Sequence, residues 1–182
     1  MATTESLLYA YTGGPDAEEL GNNPTDNVLA CDGNFTWRFT SANDDYILYN
    51  FNDLSIPSGA TIDGIQVIAD AQGNPTSAGV PTMTASNDGG SSWSSSSVAL
   101  TGQFTKSGGT YTWGSTTELW GLSWTSSTAA AIRIKVNAST VSNIAFWDCI
   151  KVKVYYTSLE KKSKLKMSKG KINIVSGKFT IK

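Results

Sequence analysis

The segment "NIAFWDCIKVKVYYT" (residues 143–157) alternates between apolar and polar side chains along its second half. Because successive side chains of a strand point to opposite faces, the alternate apolar positions share one face and are expected to be buried: Ile150, Val152 and Val154. Cys149 falls on the opposite face. Phe146 and Trp147 are also expected on opposite faces, with at least one of them in the core. The segment therefore predicts a long strand with one buried side.

Seven further strand-like segments precede it, separated by stretches rich in Gly, Asn, Ser and Pro. They are "NFTWRFT" (34–40), "YILYNFNDLSIP" (46–57), "TIDGIQVIADAQ" (61–72), "VPTMTAS" (80–86), "SSWSSSSVALTG" (91–102), "GTYTWG" (109–114) and "AAAIRIKVNAS" (129–139). In residues 61–72, Ile62, Ile65 or Val67 is expected to face inward, with Gly64 interrupting the alternation. Residues 16–20 could hold a helical turn, but no window keeps a helical period for long. Short strands at this spacing predict an all-β antiparallel sandwich or small barrel.

The charge distribution divides the chain in two. Residues 1–159 carry six Lys and Arg against fourteen Asp and Glu, a net charge of −8. Residues 160–182 carry eight Lys against one Glu, a net charge of +7. We therefore expect an acidic β-domain over 1–159 and a basic C-terminal arm over 160–182.

The arm contains a second pattern. Between Lys161 and Lys171 a basic residue occupies nearly every second position, which is typical of a solvated linker. The remainder, "KINIVSGKFTIK" (171–182), consists of two alternating runs joined by Ser176-Gly177, and this predicts a β-hairpin. The residues expected to dock on a partner are Lys171, Ile172, Ile174, Phe179 and Ile181. A lone hairpin is marginal in water, so we expect it to pack on another protein subunit. Its apolar face disfavours nucleic acid as the partner.

The stretch "SNDGGSSWS" (86–94) matches the pattern S-x-D-x-G-x-x-W and resembles the Asp box of sialidases and other β-propeller glycosidases. Asn, Asp and Gly suit a tight turn without any substrate, so the motif predicts a hairpin. A propeller needs the motif in repeated blades, and it occurs once here. Sialidases also grip their substrate with an arginine triad, whereas this chain has only Arg38 and Arg133.

Groups suited to catalysis or metal binding are sparse. The chain has no histidine, and no nucleophile or phosphate-loop motif is present. A glycosidase would need two carboxylates facing each other across a cleft. We therefore expect no enzymatic activity and no cofactor. Calcium is the alternative ligand, held by oxygen atoms of 30–34 and 41–46.

The two cysteines, Cys31 and Cys149, show neither metal-site spacing nor a disulfide framework. The N-terminus has no basic and apolar leader, so cytoplasmic synthesis is expected. Free thiols are favoured in that compartment over a single bridge.

Aromatic residues offer an alternative function. Trp93, Tyr111 and Trp113 lie in Ser- and Gly-rich stretches and could form a platform for sugar rings. For Trp113 a place in the core is favoured, and Trp93 is expected to cover its own hairpin. Another apolar group is expected to close one end of the fold rather than to be exposed: Leu119, Trp120, Leu122 and Trp124.

Three segments carry a family resemblance. They are "SIPSGATIDGIQV" (55–67), "STTELWGLSWT" (115–125) and "NIAFWDCIKVKVYYT" (143–157), in this order. Together they resemble a jelly-roll-like β-sandwich domain of structural proteins in tailed-bacteriophage virions, over roughly residues 20–157. The short spacer after residue 125 and the charged arm depart from that pattern.

The resemblance implies a non-enzymatic virion protein, either a capsid decoration or fibre subunit or a tail-associated one. Its expected partners are other capsid or tail proteins and further copies of itself in a homo-oligomer. A carbohydrate-binding or host-adhesion module, with a surface glycan as ligand, is the alternative. No membrane partner is expected, because no window approaches the roughly 18 apolar residues of a spanning helix.

Overall fold

The computed structural model describes residues 1–7, 10–12, 31–33, 37–39, 45–49, 51, 54–73, 81–95, 98, 104–137, 145–158, 166–168 and 171–173. Within this part the chain is almost entirely β-structure. The strands are β1 (Ala2–Leu7), β2 (Ala10–Thr12), β3 (Trp37–Phe39), β4 (Asp45–Tyr49), β5 (Thr61–Gly73), β6 (Thr82–Ser86), β7 (Gly109–Gly114), β8 (Arg133–Asn137), β9 (Ala145–Thr157), β10 (Lys166–Ser168) and β11 (Lys171–Asn173). A short helix, α1 (Ser126–Ala130), precedes β8.

The strands form two larger sheets and one small one. The first sheet has the order β1-β9-β5-β7, with β3 pairing β9 on the same side as β1. The second has the order β2-β4-β8-β6, and in the described part of the chain β10 pairs with β11 alone. Every pairing is antiparallel. The prediction of an all-β antiparallel fold is confirmed.

The central pair, β5 and β9, is aligned along the whole length of both strands and contains two bulges. Ile62 pairs with Tyr156 and Gly64 with Tyr155, so the residue between them on β5 is unpaired. On β9 the same happens at Asp148, an extra residue between the partners of two consecutive β5 residues. An extra residue reverses which positions face inward.

These phase reversals explain the burial pattern of both strands. Ile62 and Ile65 are an odd number of residues apart, yet both are buried. Trp147 and Ile150 are likewise both fully buried. The expectation that Ile62, Ile65 or Val67 faces inward is therefore met by all three, and the predicted inward face of β9 is confirmed.

One hydrophobic cluster contains buried residues of both larger sheets. From the first sheet it includes Ile65, Val67, Ala69, Trp113, Trp147, Val152 and Val154, and from the second Leu48, Met83, Ala85, Ile134 and Val136. Two indole rings lie at its centre, where Trp113 and Trp147 stack with centroids 5.6 Å apart. Burial of such large apolar surfaces is the main stabilising contribution to a fold of this kind.

The segment "LWGL" closes the cluster beside the start of β5. Trp120 is fully buried although its backbone is left-handed (φ 58°). Its amide donates to Glu118 Oε1 (2.6 Å), and its indole Nε1 donates to the carbonyl of Ile65 (3.1 Å). Leu119, Leu122 and Trp124 are half-buried against the same cluster. The prediction that this apolar group packs on the core is confirmed.

Two of the predicted strand segments differ in the structure, and β1 and β2 are not among the predicted segments. Residues 129 and 130, predicted to begin a strand, belong to α1, which starts after a capping box made by Thr125 and Thr128. In 91–102 the described residues contain an isolated bridge from Val98 to Met83 and no strand.

The arm forms strands where a linker was expected. β10 and β11 pair Met167 with Ile172, so part of the segment 161–171 is paired, and the linker prediction is wrong there. The hairpin predicted for 171–182 is described only as far as residue 173. Residues 16–20, named above as a possible helical turn, lie outside the described part. No helix within the described ranges has the length and apolar character needed to cross a bilayer.

A glycine in β5 gives a test of the β5 packing. A Cβ added at Gly64 would lie 2.2 Å from the backbone carbon of Thr116, and backbone cannot move aside cheaply. We expect Gly64→Ala to lower the free energy of unfolding by about 1–3 kcal/mol, measured by urea titration. Gly109→Ala is the control, because its Cβ would meet nothing closer than 3.7 Å. Equal midpoints for the two variants would contradict this packing.

Candidate functional site

A polar pocket lies on the outward face of the first sheet, where β5, β7 and β9 meet. Its volume is about 300 Å³, and it is lined by Asp70, Asp148 and the turn 107–110. Two carboxylates in one pocket make it the strongest candidate site in the described part of the chain. Apart from these two carboxylates, its lining consists of Ser, Gly and Thr, with no aromatic ring.

Asp148 reaches the pocket because it is the bulged residue of β9. Its side chain is only 3% exposed. Its two carboxylate oxygens accept hydrogen bonds from the backbone amides of Asp32 (3.3 Å) and Gly33 (3.0 Å). A buried carboxylate needs such partners. Gly33 adopts φ +86°, a conformation that glycine takes without steric cost.

Asp70 lies on the outward face of β5, opposite Cys149 of β9. Its Oδ1 accepts a hydrogen bond from the hydroxyl of Thr110 (2.6 Å). Its Oδ2 lies 3.5 Å from the sulfur of Cys149. Thr110 is also the β7 partner of Asp70 in the sheet, so the strand register alone aligns this pair.

The two cysteines form a disulfide, which corrects the expectation of free thiols. The Cα atoms of Cys31 and Cys149 are 5.0 Å apart, within the range that a bridge requires. The expectation rested on the compartment in which the chain is made. The structure brings the two sulfurs together because the amides of Asp32 and Gly33 donate to Asp148 and hold residues 31–33 beside β9.

The carboxylate pair meets the first requirement of a glycosidase but is engaged by the protein itself. Both oxygens of Asp148 accept backbone amides, and one oxygen of Asp70 accepts Thr110. These bonds attach residues 31–33 and β7 to the central strands. For 30–34, the alternative of a calcium site gains no support from the described contacts, in which the amides of Asp32 and Gly33 donate to Asp148. Of the second predicted loop, 41–46, only the last two residues are described, within β4.

The Asp box forms the predicted turn, and the chain after it returns beside β6 through the amide of Ser94 bound to the carbonyl of Ala85 (2.8 Å) and the Met83–Val98 bridge, without forming a second strand in the described residues. Ser86 Oγ donates to Asp88 Oδ1 (2.7 Å) and accepts from the amide of Gly90 (2.8 Å). Asp88 also accepts from the amide and the hydroxyl of Ser92 (3.0 and 2.5 Å). These hydrogen bonds from Ser92 and Ser86 hold the pKa of the Asp88 carboxyl well below its usual range. The motif is explained by its own turn.

The proposed glycan platform does not form. Trp113 is fully buried, and its indole Nε1 donates to the carbonyl of Pro81 (2.9 Å). Tyr111 is half-buried, edge-on to Phe104 at 4.6 Å, and shares the inward face of β7 with Trp113. Trp93 is also half-buried, but unlike Tyr111 it is not among the residues packed against the core cluster. It lies against Gly90 and beneath the ammonium of Lys135 (4.8 Å), so it covers its hairpin as expected.

The predicted docking residues of the arm are only partly described. Lys171 and Ile172 lie in β11. The other three, Ile174, Phe179 and Ile181, lie outside the described residues. Their common apolar face stays a prediction.

The sequence analysis does not single out Asp70 or Asp148 as site residues. A signal for Asp148 was present in the phase of the pattern. Trp147 and Ile150 are both strongly apolar, and they can share a face only if one residue between them is bulged out. No comparable signal marks Asp70, whose role comes from the β5–β9 register.

Comparison with known proteins found no match: no family model, no curated protein and no solved structure is significantly similar to the chain.

The Asp88 turn predicts a defined pH dependence. Because the folded-state pKa is lowered, Asp88 stabilises the fold above its ordinary pKa of about 4, and the contribution declines as the pH falls below that value. We expect Asp88→Asn to be less stable than the wild type at pH 6, with the difference shrinking toward pH 2. Urea unfolding of both proteins across this range measures it. A difference that grows on acidification would contradict the assignment.

The disulfide predicts a large response to reduction. It links residues 118 positions apart, and loss of such a bridge lowers the free energy of unfolding by about 2–5 kcal/mol. Urea unfolding with and without a phosphine reductant, in metal-free buffer, measures this. The Cys31→Ser/Cys149→Ser double variant is the control and should ignore the reductant. A wild type that also ignores it would show that the bridge is not formed.

Proposed function

We propose that the chain is a non-enzymatic structural protein of a tailed-bacteriophage virion, either a head decoration or fibre subunit or a tail-associated one. Its β-domain is a jelly-roll-like sandwich, and its C-terminal arm docks on other virion proteins. The observation that carries the proposal is that the three segments with the family resemblance fold against one another.

The contacts among these segments are direct. The strand from the first segment, β5, pairs along its full length with the strand from the third, β9. The second segment hydrogen-bonds to the same strand, through the amide of Ile65 to the carbonyl of Glu118 (2.9 Å) and through the Trp120 indole. The three segments that carry the family resemblance therefore also contact one another in the structure, as parts of one domain should.

The sandwich assignment is supported by the shared core. Both larger sheets direct their apolar residues into one cluster, which is how two sheets pack face to face. The Trp113–Trp147 stack lies in this cluster beside Phe104, whose ring centroid is 5.9 Å from that of Trp147.

The absence of enzymatic activity is supported by the way the carboxylates are used. Asp70 and Asp148 bind hydroxyl and amide groups of the protein's own loops. Asp88, in the motif that resembles a glycosidase, closes its own turn. In this structure Asp70, Asp88 and Asp148 therefore hold the protein's own loops and turns.

The arm supplies the docking function. It carries a net charge of +7 beside a domain of −8, so arms of one copy are attracted to domains of the next. The β10–β11 pair is a two-stranded hairpin, which is marginally stable alone and gains from a surface to pack on. Repetition of the subunit in a homo-oligomer strengthens weak individual contacts.

Co-sedimentation with depleted phage particles tests the proposal. Three proteins are compared: the full-length chain, a 1–159 truncation whose fold is checked by near-UV circular dichroism, and a full-length variant with Ile172, Ile174, Phe179 and Ile181 replaced by Ser. We expect only the full-length wild type to pellet with particles. The matched control replaces Lys161, Lys162, Lys164 and Lys166 with Gln, which should weaken binding in a salt-dependent way and not abolish it.

Two outcomes would contradict the proposal. If a correctly folded full-length chain does not pellet with particles under any salt condition, the virion function is wrong. If the truncation pellets as well as the full-length chain, the arm is not the docking element.

A further inference from the structure

We infer that the cysteine pair is a redox-gated metal site: when the disulfide is reduced, Cys31, Cys149 and Asp70 bind a thiophilic divalent ion such as Zn²⁺. The site lies beside the acidic pocket on the outward face of the first sheet. It is independent of the virion function proposed above.

The first observation is the convergence of three ligand atoms. The two sulfurs and a carboxylate oxygen of Asp70 all lie within 4.8 Å of one another. Two thiolates with one carboxylate form a donor set that suits Zn²⁺ and not the harder Ca²⁺ or Mg²⁺, because soft sulfur ligands select soft or borderline ions.

The second observation is the position of the Asp70 carboxylate. Its Oδ2 lies 3.5 Å from the sulfur of Cys149, which has no proton to donate while it is bonded to Cys31. A tetrahedral zinc ion with ordinary Zn–S and Zn–O bond lengths places sulfur and oxygen about 3.5 Å apart. The Asp70 oxygen and the Cys149 sulfur are thus already separated by the distance that two ligands of one zinc ion require.

The third observation is that the site has support and access without the covalent bond. The amides of Asp32 and Gly33 are held by Asp148 (3.3 and 3.0 Å), so residues 31–33 keep an attachment to β9 after reduction. Cys31 is exposed, and the pocket opens beside Asp70. A reductant can attack the bridge at the exposed Cys31 sulfur. Cys149 is buried (1% exposed), so a metal ion would approach from the side of Cys31 and Asp70, where water can supply the fourth ligand.

The reaction balances with a named reductant. A dithiol gives two electrons and two protons to the bridge and becomes a disulfide itself, leaving Cys31 and Cys149 as thiols. The ion then binds as both thiols release their protons to solvent. The disulfide formed from the dithiol can take the two electrons back: the two thiolates re-form the Cys31–Cys149 bridge, the metal ion leaves, and the reagent becomes a dithiol again with two protons from solvent.

Cobalt titration of the full-length chain tests the inference. A phosphine is used as the reductant, because a dithiol would chelate the metal. The phosphine is oxidised to its oxide with oxygen from water, and the disulfide becomes two protein thiols. After its removal under anaerobic conditions, Co²⁺ alone is added. We expect one equivalent to bind with thiolate-to-cobalt charge-transfer bands and intense visible bands of tetrahedral Co²⁺, and Zn²⁺ to displace it. The oxidised protein should show neither.

Two carboxylate variants identify the third ligand. Asp70→Asn keeps both cysteines and an acceptor for Thr110, and its Co²⁺ affinity is expected to fall tenfold or more, since even outer-shell changes cost about 10–100-fold. Asp63→Asn is the matched control, because Asp63 lies on β5 but binds Thr157 instead (2.8 Å). It should bind like the wild type.

If reduction unfolds the chain, refolding of the reduced protein by metal provides a second test. Zn²⁺ should then restore the near-UV circular dichroism, because binding to the folded state alone raises its stability. The inference is wrong if reduced protein shows no thiolate–cobalt bands and no Zn²⁺-dependent refolding. It is also wrong if Asp70→Asn binds as tightly as the wild type.

Discussion

The pairing of β5 with β9 is the interaction on which the rest of the structure depends. These strands lie at the centre of the first sheet and are aligned from Thr61–Thr157 to Gly73–Ala145. β1 and β3 attach to one side of β9, and β7 attaches to the far side of β5. The two bulges let a single pair of strands keep apolar residues inward on both sides of each phase break.

The bulge in β9 connects the core to the outward site. On the inward face it allows both Trp147 and Ile150 to be fully buried. The bulge also places Asp148 on the same outward face as Cys149. There the Asp148 carboxylate accepts the amides of residues 32 and 33, and the Cys149 sulfur bonds to Cys31. The pocket, the disulfide and the aromatic stack are therefore consequences of the same extra residue.

Much of the fold could be predicted from the sequence because alternation reports burial directly. It correctly placed Val152 and Val154 inward and Cys149 outward, and it identified the Asp box as a turn. Alternation failed where a local motif changes the secondary structure, and where contacts between distant residues determine which side chains are buried. The pattern predicts a strand from residue 129, but residues 129 and 130 lie in the helix that begins after the capping box at Thr125. Tyr111 and Trp113 read equally well as a core stripe or a platform, and only the second sheet across the cluster decides between them.

The candidate site was harder to predict than the fold. Cys31 and Cys149 are far apart in sequence, and composition argued for thiols. Only the register, with Asp70 opposite Cys149, brings the sulfurs and the carboxylate together. The function proposed from the family resemblance rests on the same pairing, since its first and third segments are the two central strands.

The most direct test of this account is the β5–β9 register, measured by inter-strand proton–proton NOEs on labelled full-length protein. The account predicts contacts between Asp70 and Cys149 and between Ala71 and Trp147, with Asp148 having no β5 partner. A continuous register, in which Ala71 lies opposite Asp148 and Trp147 is opposite Gln72, would contradict it. In that case the site and the inward phase of the first half of β9 would both have to be reassigned.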